Sequence, residues 1–301
     1  MSVKLGLLFF LSVVFFAFTQ SCKSDADSSA NGETNENIDE DVLSYKEHGK
    51  KVKMIFYNVP SPIEMAKLLE ESEMDYNPEI LNSYDNYDKY TTNSKTALNL
   101  GVYGADLSYT RLFDQIQNSV NYLASIKKLS DGLGIPQEEG SFTVSRIEEN
   151  MENRDSILLI ISQTYSTADA YLKENDRGST AALIILGGWI EALYIATHII
   201  DEKNPDRKVL ERIAEQKFSL SNLIELINSY EDEDLDPFVP QLKELQAKFE
   251  KIEITYTKGE VITDEVNMTT TIQSQSHIEV SIDNIKEIGT IVEGIRMEII
   301  E

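Results

Sequence analysis

Apolar positions recur along most of the chain at alternating steps of three and four residues, the spacing of one helix face. From Ser94 to Leu129 they are Leu98, Val102, Ala105, Tyr109, Leu112, Ile116, Leu123 and Ile126, with Ser119 as the polar interruption. Asp131-Gly132-Leu133-Gly134-Ile135-Pro136 then stops the helix. A second long helix is expected over Thr143 to Asn175, on Val144, Ile147, Met151, Leu158, Ile161, Tyr165, Ala168 and Leu172, with the charged Arg154 in its seam. Seams this regular predict the packing of helix bundles. Asn175 to Gly178 turns the chain into Ser179–Ile200, STAALIILGGWIEALYIATHII, which is apolar nearly all round. Such a helix must be buried, either in a bundle or in lipid. Glu191 near its middle, Gly187-Gly188 and His198 favour the bundle, so we read it as the central helix.

Further helices are expected over Asp206–Tyr230 and from Pro237 to about Ile252, the latter capped by Asp236. Ser61-Pro62-Ile63-Glu64 marks another start, running to about Glu73. Lys50–Val59 reads as a strand or extended arm, and Asp75–Asn93, rich in Asn, Asp and Tyr, as loop with a helical turn. Glu253–Ile262 alternates like a small hairpin or an extended connection. A last helix is expected over Asp264–Ile300, although its first half is unusually rich in Thr, Ser and Gln. The sum is an all-α single bundle of about six to eight helices with a short extended arm or hairpin. A tetratricopeptide-like helical repeat ranks second, because its recurring Trp, Gly, Tyr and Pro positions are not repeated here.

The N-terminus changes the picture. Leu5–Phe18, LGLLFFLSVVFFAF, is fourteen residues long, short of the roughly 20 of a spanning helix. With Lys4 before it, this is the pattern of a signal peptide over residues 1–21. Cys22, the only cysteine, follows directly. Ser21-Cys22 resembles the lipobox of bacterial lipoproteins, although Thr19 and Gln20 depart from its usual residues. The resemblance implies acylation of Cys22 and membrane attachment through lipid. Residues 22–42 then read as lipidated cysteine and flexible acidic tether, too polar to fold, and 43–301 as the helical domain. Lys23-Ser24-Asp25-Ala26-Asp27 resembles the export signal of Bacteroidota-type surface lipoproteins. With one cysteine, no disulfide is available, so the domain must be held by its core.

Net charge is −25, with 52 Asp and Glu against 27 Lys and Arg. Such a field repels nucleic acid and anionic headgroups. The three histidines, His48, His198 and His277, show no ferritin-like or zincin spacing. Asp232, Asp234 and Asp236 open like a calcium loop, but Pro237 and Lys243 occupy the positions of its glycine and its bidentate glutamate. No phosphate-binding loop, dinucleotide fingerprint or nucleophile elbow is present. Neither a metal nor a cofactor is expected, and no catalytic residue can be named, so the chain leans away from an enzyme.

Two constellations stand out. Gly101 and Gly104 on one helix and Gly187 and Gly188 on another suggest close backbone approach, since mid-helix glycine costs about 0.5–1 kcal/mol relative to alanine. The same missing side chains could instead leave room for a ligand. Gly187, Glu191, Tyr194 and His198 form one stripe. A buried carboxylate needs a cation, so Glu191 is expected to pair with Arg154 or Arg111. The bland meaning is a structural ion pair. The sharper one is a ligand site framed by Tyr103, Asp106, Arg154, Trp189 and Glu191.

The segment NLGVYGADLSY, the lipobox-like start and the helical remainder together resemble uncharacterised lipoproteins of Bacteroidota. That likeness implies a cell-envelope compartment and a helical fold, and no activity. The expectation is therefore a lipid-anchored protein of the cell envelope, at the outer membrane on its periplasmic face or at the cell surface. Its helical domain would serve in binding or envelope structure, with an unassigned protein or small-molecule partner and no nucleic acid. The alternative is a solute-binding lipoprotein or enzyme with a polar site at the Gly101/Gly187 crossing.

Overall fold

The chain folds mainly as helix, in the bundle its apolar spacing predicts. The computed structural model describes residues 75–136, 174–257, 261–264, 269–272 and 275–301, with single positions between 146 and 172 and at 259. Cys22, the tether, the arm 50–59, the helix expected from Ser61 and the side chain of Arg154 lie outside the described residues.

The first long seam makes two helices rather than one. α1 spans Asn93–Leu112 and α2 Ile116–Gly132. Asp114 between them takes a left-handed backbone, φ 54°, a conformation that Asp tolerates better than most residues. The turn is closed by Gln115 N–H donating to the Thr110 carbonyl at 2.8 Å. The chain then doubles back, setting Thr110 against Ser119 at 3.0 Å and the Tyr103 ring 5.8 Å from that of Tyr122. An apolar seam cannot distinguish a straight helix from an antiparallel hairpin, because both bury the same stripe. The stretch expected as one helix over Thr143–Asn175 is likewise interrupted. Asn150 lies in a turn, and the Asn153 side chain accepts from Ser156 N–H at 3.0 Å as a helix cap.

α3, Gly178–His198, is the central helix, packed by α1, by α4 (Arg207–Asn228) and by α6 (Ile282–Ile300). Its length and hydropathy would suffice to cross a membrane, yet 67% of its apolar window is buried inside the fold. Arg296 lies beside Glu191 and Gly289 beside Thr197, so α6 and α3 run antiparallel. α5, Phe238–Phe249, packs against α4 and α6 through Leu242, Leu245 and Phe249. Asp236 does not cap it. Asp232 starts the turn one step earlier, accepting from Asp234 N–H at 2.9 Å.

α4 has the cap its sequence announces. The Asp206 carboxylate accepts from Lys208 N–H at 2.8 Å and Val209 N–H at 3.2 Å. Asp206→Ala is expected to lower stability by about 1 kcal/mol, read from the urea midpoint with an unchanged slope.

The segment after α5 departs from expectation. β1 (Glu253–Thr257) pairs antiparallel with β4 (Gln275–Glu279), and β2 (Val261–Asp264) with β3 (Thr269–Ile272). Ile254 thus faces Ile278, not a neighbour within 253–262, and the ribbon takes the first half of the helix expected from Asp264. Thr269-Thr270-Thr271-Ile272 is wholly β-branched, which favours strand over helix. α6 begins only at Ile282, where Ser281 and Asn284 form a reciprocal capping box.

Residues 77–90, with short 3-10 turns at Pro78–Ile80 and Tyr84–Lys89, lie along α1 and the middle of α2 and reach the end of α6. Their carbonyls are taken by side chains below: Ser83 O by Tyr103 Oη at 2.8 Å, Asn82 O by Tyr122 Oη at 2.8 Å and Tyr84 O by Ser125 Oγ at 2.8 Å. A polar, tyrosine-rich stretch becomes an ordered cover because buried hydroxyls need acceptors.

Candidate functional site

α1 carries Asn99, Tyr103, Asp106 and Thr110 at steps of four, three and four, and all four are completely buried. α3 presents Glu191 to this face, also completely buried. A carboxylate in such a place must find a cation or give up its charge. The cation is Arg296 of α6. Its Nε donates to Glu191 Oε2 at 2.6 Å and its Nη2 to Oε1 at 2.9 Å, a bidentate fork. The same Nη2 donates to the Ile80 carbonyl at 3.0 Å, and the guanidinium lies 4.0 Å above the Tyr194 ring centroid.

Glu191 is therefore paired, as its burial requires, with Arg296 and not with Arg111; Arg154 lies outside the described residues. Arg111 is buried at the far end of α1, with Asp114 at 3.9 Å. Of the residues expected to frame a site, Tyr103, Asp106 and Glu191 come together. Trp189 is buried but lies two positions from Glu191, about 200° around a helix of 3.6 residues per turn, and so faces elsewhere.

Asp106 is the unusual member. Neither of its carboxyl oxygens has a hydrogen-bond partner in ordinary geometry. Burial pushes its pKa well above the usual carboxylate value; the Glu191 charge adds to the rise, and Arg296 opposes it. Burial also raises Glu191, while its bonds to Arg296 pull it back. Burial raises the phenols of Tyr103 and Tyr122 as well, so both are donors at neutral pH.

A polar shell surrounds the trio. Asn82 donates to Tyr90 Oη at 2.9 Å, Tyr90 Oη donates to the Ile300 carbonyl at 3.2 Å, and Asn99 donates to the Ile299 carbonyl at 2.9 Å. The cluster thus ties together the 77–90 cover, α1, α2, α3 and the end of α6. None of the shell was singled out from the sequence, nor was Arg296. A signal for Arg296 existed: Ile285, Gly289, Val292, Arg296 and Ile299 step by four, three, four and three, all of them buried.

The glycines resolve into a helix crossing. A methyl on Gly101 would meet the Ile184 carbonyl and lie 2.5 Å from Gly188 N, and one on Gly187 would meet the Leu98 carbonyl. Backbone of the partner helix occupies the space those side chains vacate. Among the described residues, no group of three His, Cys, Asp or Glu gathers as a metal set would. A shallow hollow at the end of α4 is lined by Tyr230, Glu231, Asp232, Glu233, Asp236 and Val239, a solvated acidic turn.

No protein-family model, curated protein or solved structure matches the chain.

Proposed function

We propose that this chain is a lipid-anchored protein of the cell envelope, acylated at Cys22, whose helical domain serves in binding or in envelope structure. The observation that carries the reading is the apolar segment Leu5–Phe18 followed at once by the chain's single cysteine. Two or three acyl chains on Cys22, each contributing about 0.8 kcal/mol per buried CH₂, hold a domain firmly at a membrane. The acidic stretch 23–42 supplies the reach between anchor and bundle, and the outer membrane is the compartment we assign.

The buried cluster supports a structural role for the domain's polar residues. Both oxygens of Glu191 are occupied by Arg296, and Arg296 in turn holds the cover through Ile80. These side chains are spent on one another, which leaves the outer surface as the place where a partner is met.

The full chain expressed in a bacterium with an alkyne analogue of palmitate is expected to take up the label and sediment with membranes. Cys22→Ala is expected to lose the label and move to the soluble fraction. A wild-type chain that stays unlabelled, or a Cys22→Ala chain that keeps its label, would overturn the anchor.

A further inference from the structure

We propose that Asp106 and Glu191 share one proton in the native domain, with Asp106 a neutral acid donating to the Glu191 carboxylate, and that this proton makes closure of the bundle pH-sensitive.

The geometry requires a proton there. Asp106 is completely buried and neither oxygen has a hydrogen-bond partner in ordinary geometry; the Asn82 backbone N–H and Arg296 are the groups that favour its charge. Arg296 is committed elsewhere: its Nε and Nη2 serve Glu191 and Ile80. Two charged carboxylates beside one guanidinium would leave a net negative charge in the core, which is very costly. A proton on Asp106 removes that charge and supplies the missing donor at once. The Glu191 carboxylate, already fixed by the fork, is its acceptor. This is the arrangement of carboxyl dyads, in which neighbouring acids hold one proton between them.

The other groups facing the pair are consistent with it. α1 contributes Tyr103 and α2 contributes Tyr122, both neutral phenols. α3 contributes Tyr194 and, one turn on, His198, whose ring stacks on Tyr194 at 4.0 Å. α6 contributes Arg296 and, toward Tyr194, Glu293. The cover contributes Tyr90 and, toward Tyr103, Asp85. Arg296 is the cation against the pair, and its charge is matched by Glu191 alone.

The sign of the pH effect follows. The folded pKa of Asp106 is raised, so its contribution to stability is fully present below the unfolded value of about 4. It is lost as pH rises, because the unfolded chain releases a proton that the native domain keeps. Each retained proton lowers the folding constant about tenfold per pH unit until the native acid ionises. Ionisation then places a second negative charge under the 77–90 cover, where Arg296 also holds Ile80.

Infrared spectra of the full chain labelled with ¹³C at aspartate carboxyls test this. The wild type is expected to show an isotope-shifted C=O band of a protonated aspartate at neutral pH, and Asp106→Asn is expected to lack it. Unfolding titrations supply a second measure. Between about pH 5 and pH 7 the folding constant of Asp106→Asn should improve about a hundredfold relative to wild type. A wild type with no protonated-aspartate band at neutral pH overturns the proposal whether or not the variant folds. So does an Asp106→Asn chain whose pH response parallels the wild type.

Discussion

Arg296→Met is expected to lower stability by about 3–5 kcal/mol, the usual cost of removing one partner from a buried ion pair. Methionine fills much of the same volume, so packing loss is small and the effect is electrostatic. Glu191 would keep a carboxylate without the two donors that Arg296 supplies, beside an acid that is itself fully buried. The Ile80 carbonyl would lose its donor too, loosening the cover. Urea unfolding followed by circular dichroism at neutral pH reads the loss. Adding Glu191→Gln to the same chain should recover a large part of it, since a pair removed from both sides is often near neutral. A single variant as stable as the wild type would mean that the fork contributes little.

Gly101→Ala and Gly187→Ala are each expected to cost about 3 kcal/mol, at the upper end of the overpacking range. In an ordinary helix the same change should help by about 0.5–1 kcal/mol, because alanine loses less backbone freedom. Here the added methyl meets a carbonyl of the facing helix, Ile184 or Leu98, and backbone cannot swing aside as a side chain tip can. Separating α1 from α3 would strip contacts along the most extensive interface among the described helices. Gly294→Ala is the control, on exposed surface of α6 with open space around it. It should stabilise by the ordinary amount. Thermal unfolding of the three variants side by side checks the opposition of sign.

Much of this architecture was legible from spacing alone. The apolar steps located α1, α2, α3, α4 and α5, and the run of small and apolar residues marked α3 as central. Glycine positions on two helices announced their close crossing, and a carboxylate in an apolar helix announced a partner. What periodicity could not supply was where a seam folds back on itself. The Phe113–Gln115 turn leaves the three-and-four spacing undisturbed, so α1 and α2 looked like one helix. By sequence Thr269–Ile272 reads as the start of the last helix, because the isoleucines beyond it keep helical spacing and outweigh its β-branched run, which favours strand. The identity of the cation beside Glu191 was the hardest to see. Arg296 lies 105 residues further on, and only a three-dimensional crossing of α3 and α6 brings it to Glu191. Asn82 and Tyr90 sat in a stretch whose polar composition reads as loop, and their role depends on helices that pass beneath.

The order in which the chain is made bears on the last helix. Arg296 reaches back 216 residues to Ile80, Tyr90 reaches forward 210 to Ile300, and Asn99 reaches 200 to Ile299. These are among the longest loops that the described residues close, and contacts of such separation form slowly. During synthesis α3 emerges with its glutamate uncompensated, and it stays so until the final turn of α6 has appeared. Closure is therefore a late and concerted event: the C-terminal helix completes the fold of a region that left the ribosome long before it. Under the envelope reading proposed above, that delay would leave the bundle unclosed while the chain is threaded across a membrane.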